Sequence, residues 1–161
     1  MKQENKYFWL LFFLFGVTSV IAQALFAPLI AIHFYEPDFV LVIVLLLSKR
    51  FGSIKGSSAG FLLGLLQDAV TGLPLGISAL PKAVAGYLGG KLHGQAIKSI
   101  GLDLWFVVFI LIHEIIFYAL FQFKSEFSFH YFFVNRVLPN TLYTTVILII
   151  TALFTDKYFS E

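Results

Sequence analysis

The chain has 161 residues, of which 59% are hydrophobic, 18% aromatic and only 12% charged, with a mean hydropathy of +0.89. Soluble domains carry roughly 25% charged residues, so this composition excludes a soluble globular protein and describes an integral membrane protein with almost no chain left for an aqueous domain. Cysteine is absent, which excludes disulfides, thiol catalysis and thiolate metal sites, and a formal net charge of +2 is too small to indicate nucleic acid as a partner.

Taken in chain order, apolar runs bounded by charge or by Gly/Pro punctuation predict six spans in a single integral membrane domain, 1–161. The fold class expected is all-α, a polytopic bundle of six transmembrane helices. The first span, about 7–32, follows Lys2 and Lys6 and contains Ala22-Gln23-Ala24, which imitates a signal-peptide cleavage site. The apolar stretch runs on through Leu25 to Ile32, so a retained span is expected. The second, about 37–48, is built on Phe39–Leu47, which is shorter than a bilayer crossing. It crosses only if its Pro37 and Ser48 flanks join it, or else lies partly buried in protein.

The third span, about 54–70, sits in the stretch GSIKGSSAGFLLGLLQDAVTGLPLG, with glycine at 52, 56, 60, 64, 72 and 76 and Asp68 in place of one rung. Four residues advance a helix by about 400°, so Gly56, Gly60 and Gly64 fall within about 80° of one another. Such a small-residue stripe, led by Gly52 and widened by Ser57 and Ser58, lets two helix backbones approach closely in lipid. It receives either another helix of the same bundle or a partner's helix. Asp68 needs compensation, because an unpaired buried carboxylate costs several kcal/mol. The turn sequence Thr71–Gly76 offers free backbone amides, so Asp68 either ties this turn or serves a ligand or ion there.

The fourth span, about 76–92, carries Lys82, and the fifth, about 102–122, carries His113 and Glu114. Antiparallel packing places Lys82 about 9 Å and Glu114 about 12 Å below the outer boundary, within reach of each other. Glu114, Tyr118 and Gln122 recur at four-residue spacing, so one face of this helix is polar and points into the bundle or a cavity. An internal ion-pair network and a proton or solute pathway are both compatible with these groups. The sixth span is about 134–154.

Lys2, Lys6, Lys49, Arg50, Lys55, Lys91, Lys98 and Lys157 fall on one side of this arrangement, and only Lys124 and Arg136 on the other, which places both termini in the cytoplasm. Tyr7, Trp9 and Trp105 lie near the inner boundary, and Phe127, Phe129, Tyr131, Phe132 and Phe133 near the outer one, as interfacial aromatics do. His113 has no second histidine at ligand spacing, since His33, His93 and His130 lie elsewhere, so no metal site is expected. No GxSxG, GxxxxGK[ST] or HExxH pattern occurs, and neither an enzyme activity nor a cofactor is expected.

Pro37-Asp38, Lys49-Arg50-Phe51-Gly52, the run from Gly56 through Gly60-Phe61 and Gly64-Leu65 to Asp68, Gly72-x-Pro74-Leu75-Gly76, Gly86-Tyr87-Leu88 and Arg136-Val137-Leu138-Pro139 together resemble the rod shape-determining protein MreD family. The resemblance runs from about Pro37 to Thr145. It implies a non-enzymatic subunit of the bacterial cell-elongation machinery in the cytoplasmic (inner) membrane, helping to regulate cell shape and peptidoglycan synthesis. It further implies MreC as the direct partner, MreB, RodA and a class B penicillin-binding protein through the complex, and a fold similar to the six-helix S components of energy-coupling-factor transporters. Lys82, His113 and Glu114 lie outside that pattern. They support the alternative expectation of a small-molecule-binding transporter subunit with an outward-facing cavity lined by Asp68, Lys82, Glu114 and Tyr118.

Overall fold

The computed structural model describes residues 2–33, 35–94, 104–121 and 129–159. Lys98, Gln122, Lys124 and Phe127, used above to orient the chain and extend the fifth helix, lie outside the described residues. Among those described the chain is all-helical, in six segments. α1 covers residues 2–25, with a π-helical turn at Phe12–Val17, and is followed by α2 (Phe39–Phe51), α3 (Ser53–Thr71) and α4 (Ala79–Gly89). α4 ends in a 3-10 turn, Gly90–Leu92; α5 is Leu104–Phe121, and α6 covers residues 129–159 with a second π-helical turn at Phe133–Val137.

Among the described residues three segments are long and apolar enough to cross a membrane by themselves: Lys6–Leu25, Leu104–Phe121 and His130–Phe154. The first helix stops at Leu25 instead of continuing to Ile32. Pro28 accounts for this, because it has no N–H to donate and pushes the residue before it out of the helical region. Proline also coincides with the irregularity in α6: Pro139 cannot donate to the carbonyl four residues back, and the wide turn immediately before it absorbs the mismatch.

α2 is the axis of the bundle. Its 13 residues reach only about 20 Å, yet every residue from Val40 to Ser48 is buried. A helix that is apolar on all sides belongs in a core, and α2 is surrounded by α1, α3, α4 and α6. Phe106 and Ile110 of α5, Leu63 of α3 and Leu148 of α6 complete that core. Because α2 and α4 meet other helices more than lipid, they need not satisfy the length of a free-standing span.

α3 and α4 form the most extensive helix pair, and the glycines explain why. A Cβ on Gly56 would lie 2.6 Å from the carbonyl oxygen of Gly86, and one on Gly60 or Gly64 would overlap the backbone of Lys82 or Ala79. The stripe is therefore filled by the chain's own α4, which leaves no room on it for a partner helix. Gly52 is not part of this face. It forms the one-residue break between α2 and α3, at φ +86°, where a glycine is favoured.

The two ends of the bundle differ in charge. Lys49, Arg50, Lys55 and Lys91 gather where α2 and α4 end and α3 begins, and they lie over aromatic rings: Lys55 over Phe8 and Phe51, Lys91 over Tyr87, Lys49 over Phe106. At the other end α1 and α3 finish, α2 begins, and the chain's polar interior opens.

Candidate functional site

Two carboxylates organise that second end. Asp68, in the last turns of α3, is fully buried. Its backbone carbonyl accepts the amides of Gly72 and Leu73, which closes the helix C-terminus. Its side chain accepts the amide of Gly76 at 2.8 Å and that of Ser78 at 3.0 and 3.2 Å. One residue thus ends α3 and anchors the chain entering α4, where Ser78 provides no side-chain cap of its own. The turn between them needs glycine at Gly72 (φ +72°) and Gly76 (φ +104°).

Asp38 is the N-cap of α2: Oδ1 accepts from the amide of Leu41 at 2.8 Å. Its own amide donates to Thr144 Oγ1 of α6 at 3.1 Å. Gln23 of α1 holds the same corner from the other side, donating to the Pro37 carbonyl at 3.1 Å and accepting from the Phe39 amide at 2.8 Å. Asp38 Oδ2 is left for Lys82, whose Nζ lies 2.5 Å away, the whole lysine being inaccessible to solvent. Lys82 Nζ also lies 3.5 Å from His113 Nε2, and His113 Nδ1 lies 3.3 Å from Glu114 Oε1. Four ionisable residues from α2, α4 and α5 thereby form one line, Asp38, Lys82, His113 and Glu114.

A cavity of about 450 Å³ lies over this line. Its floor is Asp38, His113 and Glu114; Gln23, Gln67 and Asn140 form its walls, with Phe117 and Tyr118 beside them. The exposed residues Pro28, Glu36 and Thr71 form the rim, so the cavity opens at this end of the bundle. Tyr118 accepts a hydrogen bond from Asn140 Nδ2 at 2.8 Å. Below the floor, Leu41 to Leu47 are buried apolar residues, so the polar line ends against apolar core.

The model of the rod shape-determining protein MreD family matches residues 3–161. The chain belongs to the MreD family. The match extends well beyond the stretch from Pro37 to Thr145 that carries the motif residues. MreD proteins are shape-determining membrane proteins and are not known as an enzyme family. No curated protein and no solved structure matches the chain.

Within this MreD chain the residues singled out in the sequence separate into three groups. Lys82, His113, Glu114 and Tyr118 do come together, but Lys82 pairs with Asp38 and not with Glu114, which faces His113 instead. Asp68 and Lys82 do not line the cavity. Both are consumed by contacts inside the protein. Gly86 faces Gly56 across the α3–α4 crossing, while Pro74 lies in the intervening turn and Pro139 in α6. Arg136 stands in the π-helical turn of α6, half-buried and outside the cavity wall.

Asp38, read from sequence only as a motif residue at the start of a helix, is the hub that the sequence argument missed. Its signal was the position after Pro37 and ahead of a wholly apolar run. A carboxylate capping a helix that has no polar face must sit inside the bundle, and a buried lysine is then its natural partner. Gln23, Gln67 and Asn140 were likewise missed, since a lone amide among apolar neighbours gives no spacing signal of its own.

Proposed function

We propose that this protein is a non-enzymatic scaffold subunit of the bacterial cell-elongation machinery, helping to regulate cell shape and peptidoglycan synthesis. It crosses the cytoplasmic membrane six times with both termini in the cytoplasm. It binds MreC directly and meets MreB, RodA and a class B penicillin-binding protein through the complex. The observation that carries this reading is the family match over residues 3–161. The basic, aromatic-lined end of the bundle supports the orientation, since lysine and arginine are retained on the cytoplasmic side.

With the glycine stripe filled by α4, the attachment face lies elsewhere. The ring of helices around α2 is open between α1 and α6, and a groove of about 240 Å³ there exposes Phe15, Thr18 and Ala22 of α1 beside Val42 and Ile43 of α2. We place the transmembrane helix of MreC in this groove. Its small Ala22 and Ser19 permit close helix approach, and the outer face of α1 next to it, with Phe13, Leu14 and Ile21 exposed, continues the apolar surface.

Affinity purification from membranes tests both statements. The wild type is expected to co-elute with MreC, Ala22→Trp to lose most of it, and Leu62→Trp, on the exposed face of α3, to retain it. Equal MreC yields from Ala22→Trp and wild type overturn the groove as docking site, and absence of MreC from the wild-type eluate overturns direct binding. The reading as a transporter subunit has no comparable support, because the family match is to shape-determining proteins and two of its four expected lining residues, Asp68 and Lys82, lie outside the cavity.

A further inference from the structure

We propose that the connection between α1 and α2, residues 26–37, is seated in the bilayer interface, where headgroups meet acyl chains, and that its apolar side chains contact lipid. The starting point is a mismatch between pattern and structure. The first apolar run continues to Ile32, but the helix stops at Leu25. Lys6–Leu25 is 20 residues long and so reaches about 30 Å, the full hydrocarbon thickness of a bilayer. Leu25 therefore stands at the hydrocarbon boundary, and the segment after it begins at headgroup depth.

The side chains of this segment are those of a core, yet they point outward. Leu25, Phe26, Leu29 and Ile32 are 56–77% exposed, while Ala27 is fully buried and fastens the segment to the bundle. No Asp, Glu, Lys or Arg occurs between positions 26 and 35. Connections that run through water are built largely from Gly, Pro, Asn, Asp and Ser, so an apolar patch of this size marks a contact surface. It continues the outward stripe of α1, where Ile21 and Leu25 are one turn apart and both exposed.

The backbone favours lipid over water as what covers the patch. A main-chain donor in lipid has no water to turn to and must be satisfied inside the protein. This segment achieves that without being a helix. The amides of Phe26 and Ala27 both donate to the Ala22 carbonyl, at 2.8 and 3.3 Å, and those of Leu29 and Ile30 to the Phe26 carbonyl, at 3.1 and 3.2 Å. Ile32 and Tyr35 exchange amide-to-carbonyl bonds at 3.1 and 3.0 Å, and Pro28 has no N–H to satisfy. The Ile30 carbonyl accepts the Tyr143 hydroxyl of α6 at 2.8 Å.

The polar groups fix the depth at the interface and not below it. Tyr35 and Tyr143 are half-buried rings with a polar tip, the side chains that favour headgroup level. His33 and Glu36 are exposed, and at that level water is within their reach. Pro28 and Glu36 also stand on the cavity rim, so the same segment holds the cavity mouth at the membrane surface.

The test places nitroxide labels on single cysteines in the full-length protein, reconstituted into vesicles of phosphatidylethanolamine and phosphatidylglycerol. Leu29→Cys and Ile32→Cys probe the segment; Ile21→Cys on the outward face of α1 and Lys91→Cys at the exposed basic end are the references for lipid and for water. Relaxation by oxygen, which concentrates in lipid, is compared with relaxation by a water-soluble nickel chelate present on both sides of the membrane. The oxygen-to-nickel ratio at 29 and 32 is expected to lie between the references, well above that at 91 and below that at 21.

A ratio at either position as low as at Lys91→Cys overturns the proposal and leaves the patch to a partner protein. A ratio as high as at Ile21→Cys overturns the interfacial depth. Protection from both reagents overturns it too, since a second copy of the chain then covers the patch. With the chelate on both sides and no other protein in the vesicles, the result is independent of the orientation and of MreC binding, so failure here is distinguishable from failure of the proposed function.

Discussion

Asp68 and Asp38 are both buried carboxylates, and what surrounds them separates their consequences. Asp68 is satisfied by the backbone amides of Gly76 and Ser78, so no cation depends on it. Asp68→Asn exchanges one acceptor oxygen for an NH2 that faces those amides, and hydrogen bonds to a charged acceptor contribute about 1.5–3 kcal/mol. We expect a stability loss of about 2 kcal/mol, read as a lower thermal midpoint in detergent with the network around Lys82 unaffected. Asp38 and Lys82 depend on each other. Lys82→Met leaves a carboxylate unpaired in the interior, and breaking a buried pair from one side costs about 3–5 kcal/mol. Replacing both members by neutral groups is commonly close to neutral. Asp38→Asn keeps an oxygen to accept the Leu41 amide. The double variant Asp38→Asn/Lys82→Met should therefore be more stable than Lys82→Met alone. A double variant as unstable as the sum of the singles would show that the pair is not the reason Lys82 is tolerated.

At the scale of elements, the α3–α4 crossing is where sequence and structure agree most closely. Four-residue glycine spacing specifies a smooth helix face whatever it packs against, so the existence of a close crossing was legible at Gly56, Gly60 and Gly64. What fills the face was not legible, because a stripe carries no information about the helix it receives. That α4 answers it follows from Gly86 meeting Gly56 in space, a match between distant residues that periodicity cannot reveal. Pairing of the charged residues failed for the same reason. Depth along the bundle placed Lys82 near Glu114, but azimuth decided for Asp38, and azimuth is set by the crossing angles of all the helices at once. The cavity was anticipated only in the polar face of Glu114 and Tyr118; its amide walls come from three other helices. The crossing makes a graded prediction. Gly60→Ala puts a methyl into the Lys82 carbonyl and must push α4 away, whereas an alanine at Gly72 has open space and suffers only its left-handed backbone. Gly72→Ala should cost about 1 kcal/mol, and Gly60→Ala distinctly more, as compared by thermal midpoints of the purified variants.

At the scale of the whole molecule, the bundle is polarised: lysines and arginines over aromatic rings at one end, an acidic cavity and a glycine turn at the other. These two ends experience different forces in a membrane. Basic residues resist translocation and stay on the cytoplasmic side, while the Asp68-anchored turn, whose amides are paired internally and whose only charge is buried, has nothing to hold it back. On the proposed topology this charge polarity orients the chain. The absence of cysteine from the sequence makes this directly measurable, since single cysteines can be introduced without removing any. Leu75→Cys places a thiol at the cavity end, where the native side chain is 71% exposed, and should react with a membrane-impermeant maleimide on intact spheroplasts. Lys91→Cys, at the basic end, should react only after permeabilisation. The reverse pattern would place the cavity on the cytoplasmic side. The expected pattern places it on the outer side, where the short Asp68-anchored turn crosses without a charge to retain it.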